Sequence, residues 1–169
     1  MTREFTDEQA ATFENLLFEL RCPKTFGQPI IIEDYCYSEK DHYRVYIIWD
    51  EWGSHPDQAR ANIIIDAFYA LKPKKARYIL QCTGLTIKEA WKKGFLPFGI
   101  EPRTHREGDP PLEEYIKILL EMEASYIPEF DSPQLRFHTL SEVEAAYDYL
   151  REALPGSRWL ISVMSNIGD

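Results

Sequence analysis

Apolar residues recur at helical spacing along TDEQAATFENLLFELR, where Phe13, Leu16, Leu17 and Leu20 share one face. Thr6 with Gln9 three residues on is a capping-box signature, so this pattern predicts a helix over Asp7–Arg21, ended by Pro23. Two runs rich in Ile, Val, Tyr and Trp then flank a polar loop at Ser38–His42 and predict an antiparallel hairpin. Period two sets Val45, Ile47 and Trp49 on one face of the second run and Tyr46, Ile48 and Asp50 on the other. A second helix is predicted over Asp57–Leu71. Its polar residues Gln58, Asn62 and Asp66 make one narrow line, and apolar groups including Ile63, Ile64, Ile65 and Phe68 wrap the rest. Such a helix requires cover on more than one side. The sheet supplies one side, and a second helix or another subunit must supply the remainder.

ARYILQCTG follows as a third strand. Thr86 with Glu89 caps a short helix that Gly94 ends, and FLPFGIEP is extended. The segment 101–111, rich in proline and alternating charge, connects two halves. Beyond it, Pro111 opens a helix with the stripe Leu112, Tyr115, Ile116, Leu119 and Met122. A short strand follows. Ser141 with Glu144 then caps a helix whose face is Val143, Ala146, Tyr147, Leu150 and Leu154, stopped by Pro155 and Gly156. Arg158–Met164 reads as the last strand, and strand–helix–strand of this length fits a βαβ crossover. The element order is α-β-β-α-β-α, then α-β-α-β. It predicts an α/β protein, α+β-like, with helices packed on a mixed sheet. The halves are 1–100 and 112–169, expected to pack as one compact unit.

Charge and cysteine content narrow the function classes. The net charge of −9 is uneven: residues 1–100 hold 13 Lys/Arg and 14 Asp/Glu, residues 101–169 hold 6 and 14. An acidic second half repels phosphate backbones and makes nucleic acid an unfavoured partner. Three cysteines, Cys22, Cys36 and Cys82, form no paired framework and suggest a reducing compartment. With no apolar signal core in the first residues and no apolar run of spanning length, a cytoplasmic protein without a membrane partner is expected.

The stretch VYIIWDEWGSHPDQ holds the one candidate for metal or acid–base chemistry, Asp50, His55 and Asp57, which would serve a metal-assisted hydrolase. Its spacing matches no dedicated metal motif. The same residues are accounted for by a strand handing over to a helix, with Ser54 as cap, Pro56 in the first turn and Asp57 at the positive end of the dipole. Lys72, Lys74, Lys75 and Arg77 place four cations within six residues. They serve either as a solvated helix C-terminus or as an anion- or partner-binding cluster, including a nucleic-acid contact. Cys36 and Cys82 fall within predicted strands as small buried thiols. His138 is expected hydrogen-bonded and partly buried, and His42 solvated in the hairpin loop. No catalytic or phosphate-cradling motif is present, and no cofactor is implied.

YRVYIIWDEWGSHPDQARANIIIDAF resembles the strand–loop–helix of BolA-type proteins, whose class II KH-like fold runs αββαβ. The resemblance implies that topology for the first half. That family places a histidine directly after the helix arginine, whereas Ala61 follows Arg60 here. The expected function is a non-catalytic binding or regulatory protein acting through protein–protein contacts, self-association among them.

Overall fold

The computed structural model describes residues 3–24, 27–36, 41–102, 107–108, 111–121, 135–154 and 159–163. It is an α+β structure in two compact units, Met1–Ile87 and Lys88–Asp169. The expected connecting residues Arg103, His105 and Arg106, with Met122, Pro155 and Gly156, lie outside the described residues.

The first unit holds α1 (Asp7–Arg21), β1 (Ile30–Tyr35), β2 (Tyr43–Ile48), a 3-10 turn (Asp50–Trp52), α2 (Asp57–Leu71), α3 (Pro73–Ala76) and β3 (Ile79–Leu85). α1 starts as its sequence dictates. The Thr6 hydroxyl accepts from the Gln9 N–H at 3.2 Å, and the Gln9 side chain accepts from the Thr6 N–H at 3.1 Å. β2 is central, antiparallel to β1 and parallel to β3, so the sheet is mixed with order β1-β2-β3. Tyr43, Val45 and Ile47 form one face of β2 and are buried with Leu16 and Leu17 of α1 and Ile63, Ile64, Ala67 and Phe68 of α2. The apolar arc of α2 is thus closed largely inside the unit, by α1 and the sheet. Ala61 and Ile65 remain partly exposed.

Ser54 does not cap α2. The cap residue is Pro56, which has no side-chain acceptor, and its extended backbone (φ −66°, ψ 156°) leaves Ser54 two residues short of the first turn. Asp57 does occupy that turn. α3, a single turn begun by Pro73, is an element the sequence pattern did not separate from α2.

The second unit contains β4 (Phe98–Pro102), α5 (Leu112–Glu121), β5 (Leu135–Phe137), α6 (Leu140–Ala153) and β6 (Trp159–Val163), preceded by α4 (Ile87–Lys92), whose first residue belongs to the first unit. β4, expected only as extended chain, is the central strand of a second sheet of order β5-β4-β6, antiparallel to both neighbours. β5 and β6 therefore run parallel with β4 between them, a split βαβ unit in which α6 is the crossover. Gly99 makes room for Arg136: a Cβ there would lie 3.0 Å from its Cδ, and the guanidinium carbon sits 3.5 Å from the Trp91 ring centre. The α6 cap is Thr139 with Glu142, two residues before the expected Ser141 and Glu144. Both tetrapeptides fit the pattern, and the earlier one adds two residues to the helix. Val143, Ala146, Leu150 and Leu154 are buried as expected.

Candidate functional site

Asp50, His55 and Asp57 are engaged separately. The strand ends at Ile48, and in the turn that follows one Asp50 carboxylate oxygen accepts from the Ile87 N–H at 3.0 Å and the other from the Gln28 amide at 3.2 Å. The carboxylate thus satisfies the first amide of α4 and ties down the chain entering β1. His55 is buried, with Nε2 2.9 Å from the Thr12 hydroxyl, which links the loop to α1. Asp57 is exposed. Among the described residues, no group of three or more His, Cys, Asp or Glu is arranged to hold a metal ion.

The residue that organises this loop is Arg60. It is buried on α2 and donates to three backbone carbonyls: Nε to His55 at 2.7 Å, Nη1 to Gly84 at 3.1 Å and Nη2 to Gly53 at 3.1 Å. The sequence gives no sign of this, because an arginine on a helix is ordinarily solvated. Trp52, which with the Cβ of Arg60 closes in on Gly84, is fully buried and donates from Nε1 to the Ile47 carbonyl at 2.9 Å.

The basic cluster is divided. Lys75 reaches both Glu33 carboxylate oxygens at 2.7 Å and lies 5.5 Å from the Tyr43 ring centre. Burial would lower its ammonium pKa, but the hydrogen bond and charge of Glu33 outweigh it and raise it. Tyr43 donates to the Lys75 carbonyl at 3.1 Å, and burial followed by the Glu33 charge pushes its phenol up to about 12. Lys75 is therefore part of the α3–β1 contact. Lys72, Lys74 and Arg77 are exposed, with no ion-pair partner among the described residues.

Cys36 lies one residue past β1, and its N–H donates to the His42 carbonyl at 2.9 Å. His42 itself is partly buried, edge-on to Tyr78 at 5.6 Å. Cys82 lies on β3, and burial pushes its thiol up to about 12, which favours the protonated form at neutral pH. His138 follows β5, half-buried, and its Nδ1 donates to the Phe95 carbonyl at 3.0 Å.

The first unit carries a concave surface. Gln58, Ala61, Asn62 and Ile65, spaced to share one face of α2, border a groove of about 210 Å³ with Ile79–Cys82 of β3 on its other side. None of its lining residues is charged. Beside it, β3 is an edge strand: among the described residues, no strand pairs with its outer side. Leu80 is 49% exposed at an irregularity where the register against β2 shifts. The other edge, β1, carries Glu33 and Asp34, with Glu33 held by Lys75 and Asp34 3.7 Å from Arg44. Charges of that kind block edge-to-edge pairing. β3, the sequence ILQCTGL, has none. That absence of charge in an edge strand was the available sequence signal, and it becomes meaningful only once the strand order is known.

No family model matches the chain, and the searches of curated proteins and of solved structures also find no match. The helices and strands of the first unit run α-β-β-α-α-β, one short helix more than the αββαβ order that the BolA-type resemblance implied. Among the described residues, no helix is long and apolar enough to cross a membrane.

Proposed function

We propose that the chain is a non-catalytic protein-binding module that takes an extended segment of a protein along the outer edge of β3. The observation that carries this reading is an uncharged edge strand lying beside a neutral, partly apolar groove. An added strand would draw affinity from the free backbone groups of the edge, and the groove would select an apolar side chain at one position of the segment. At the groove the Gln58 amide donates to Asn62 Oδ1 at 3.1 Å, Asn62 Oδ1 also accepts from Arg3, and the Gln81 amide donates to the Thr83 hydroxyl at 3.3 Å. Peptides selected from a displayed library against the protein are expected to be uncharged, with alternating apolar residues. Their binding should vanish in Leu80→Lys and persist in Tyr149→Lys, a change at an exposed residue of the second unit. Equal binding to both variants would end the reading.

A second reading, a nucleic-acid contact through Lys72, Lys74 and Arg77, has one favouring observation: Tyr69 and Tyr78, 50% and 39% exposed, flank those cations in the chain. Exposed aromatic rings among cations suit the stacking and phosphate contacts of a single strand. Binding of a single-stranded oligonucleotide should weaken steeply with salt and disappear in Lys74→Glu/Arg77→Glu. Binding insensitive to both would remove it.

A further inference from the structure

We infer that the segment docking along β3 is the free carboxyl end of a partner protein, running antiparallel to β3 so that its terminal carboxylate meets Lys72, Lys74 and Arg77. This rests on the strand-docking reading above and names the chemistry of the partner.

The edge itself sets where a docked chain stops. From Gln81 to Leu85, β3 pairs with β2 in unbroken register. Tyr43 pairs with Ile79 and Arg44 with Gln81, so Leu80 is an extra residue that interrupts the ladder. β3 begins at Ile79, and only Arg77 and Tyr78 separate it from α3. An added strand thus has a regular edge to follow along Gln81–Thr83 and none beyond Ile79. A chain continuing past that point would have to turn away, whereas a chain that ends there need not.

Charge decides which end it is. The groove face of α2 runs through Gln58, Asn62 and Ile65, and the same spacing continues to Tyr69 and to Lys72 at the helix C-cap. On the strand side, Arg77 and Tyr78 lead into Ile79. A neutral groove therefore runs toward a cationic end, near the start of β3. Lys75 shows what a cation there does with a carboxylate in reach: it holds Glu33 at 2.7 Å. Lys72, Lys74 and Arg77 are exposed and have no ion-pair partner among the described residues. Arg3 also reaches the groove at Asn62, but Asp66 takes its charge at 3.3 Å. A carboxyl terminus is attracted to the three unpaired cations and an amino terminus is repelled. Tyr69 and Tyr78, both exposed, add phenol donors suited to a carboxylate.

Peptides selected against the full chain from a library displayed with free carboxyl ends are the probe. Each is made as free acid and as carboxamide, and both are titrated by fluorescence anisotropy. The free acid should bind about tenfold tighter, the order expected of hydrogen bonds to a charged group. High salt should reduce that advantage, and Lys72→Gln/Arg77→Gln should abolish it while leaving carboxamide binding unchanged. Both side chains are exposed, so the double variant should unfold at the wild-type urea midpoint. Equal binding of acid and carboxamide to the wild type overturns the inference and leaves strand docking standing, as does an acid preference that survives the double variant. A single-stranded oligonucleotide that binds through Lys72 and Arg77 while acid and carboxamide bind alike assigns the cations to phosphate instead. A library that yields no binder brings down both readings.

Discussion

Replacing Arg60 with methionine is expected to destabilise the first unit by about 3–5 kcal/mol. Methionine fills similar apolar volume but donates nothing, so the carbonyls of Gly53, His55 and Gly84 lose the hydrogen bonds that the guanidinium gives them. Hydrogen bonds to a charged group are worth about 1.5–3 kcal/mol each, and buried carbonyls left without them carry a further desolvation cost. Arg60→Lys should recover only part of the loss, because a compact ammonium cannot span three carbonyls set around a planar fork. The urea midpoint of the Trp52 indole NMR signal reports directly on this region. A midpoint unchanged in Arg60→Met would show that the three carbonyls do not depend on the guanidinium.

Trp52→Ala should cost a similar amount, about 3–5 kcal/mol, by opening a cavity in a rigid part of the core. The indole is fully buried, stands edge-on to Trp49 at 5.3 Å and bonds to the Ile47 carbonyl. It also explains Gly84. A Cβ at that position would meet Trp52 Cε2 at 2.8 Å and Arg60 Cβ at 2.9 Å, so Gly84→Ala alone should cost about 1–3 kcal/mol by overpacking. In a Trp52→Ala background the same change should cost less, because the ring it strikes is gone and the Arg60 Cβ contact is the one that remains. A double-mutant cycle in denaturant measures that coupling, and additive losses would refute the contact.

These two positions also mark where the sequence stops being legible. α1 and α2 run over the predicted residues because local rules decide them: the Thr6 capping box and Pro23 bound one, and the apolar arc with its polar line sets the other. The β1–β2 hairpin follows from alternation and a polar loop. What failed was decided by contacts distant in sequence. Arg60 is buried because the loop at Gly53–His55 and β3 at Gly84 bring carbonyls to it, and no spacing rule reports that. Pro97, Gly99 and Pro102 argue against a central strand, yet β4 is one; Gly99 is small because Arg136 passes across it. The chemical candidates behaved in the same way. The sequence named Asp50 and His55 as polar groups beside a strand end, but Gln28, Ile87 and Thr12, the residues that engage them, come from elsewhere in the chain.

The strand order of the second unit bears on how the chain is made. Phe98 of β4 pairs with Phe137 and Val163, 39 and 65 residues further along. As the polypeptide leaves the ribosome, the first 87 residues can complete their own sheet at once, while β4 must wait for both flanking strands. During that interval both of its sides lack their native partners, the condition in which an unpaired strand is open to misassembly.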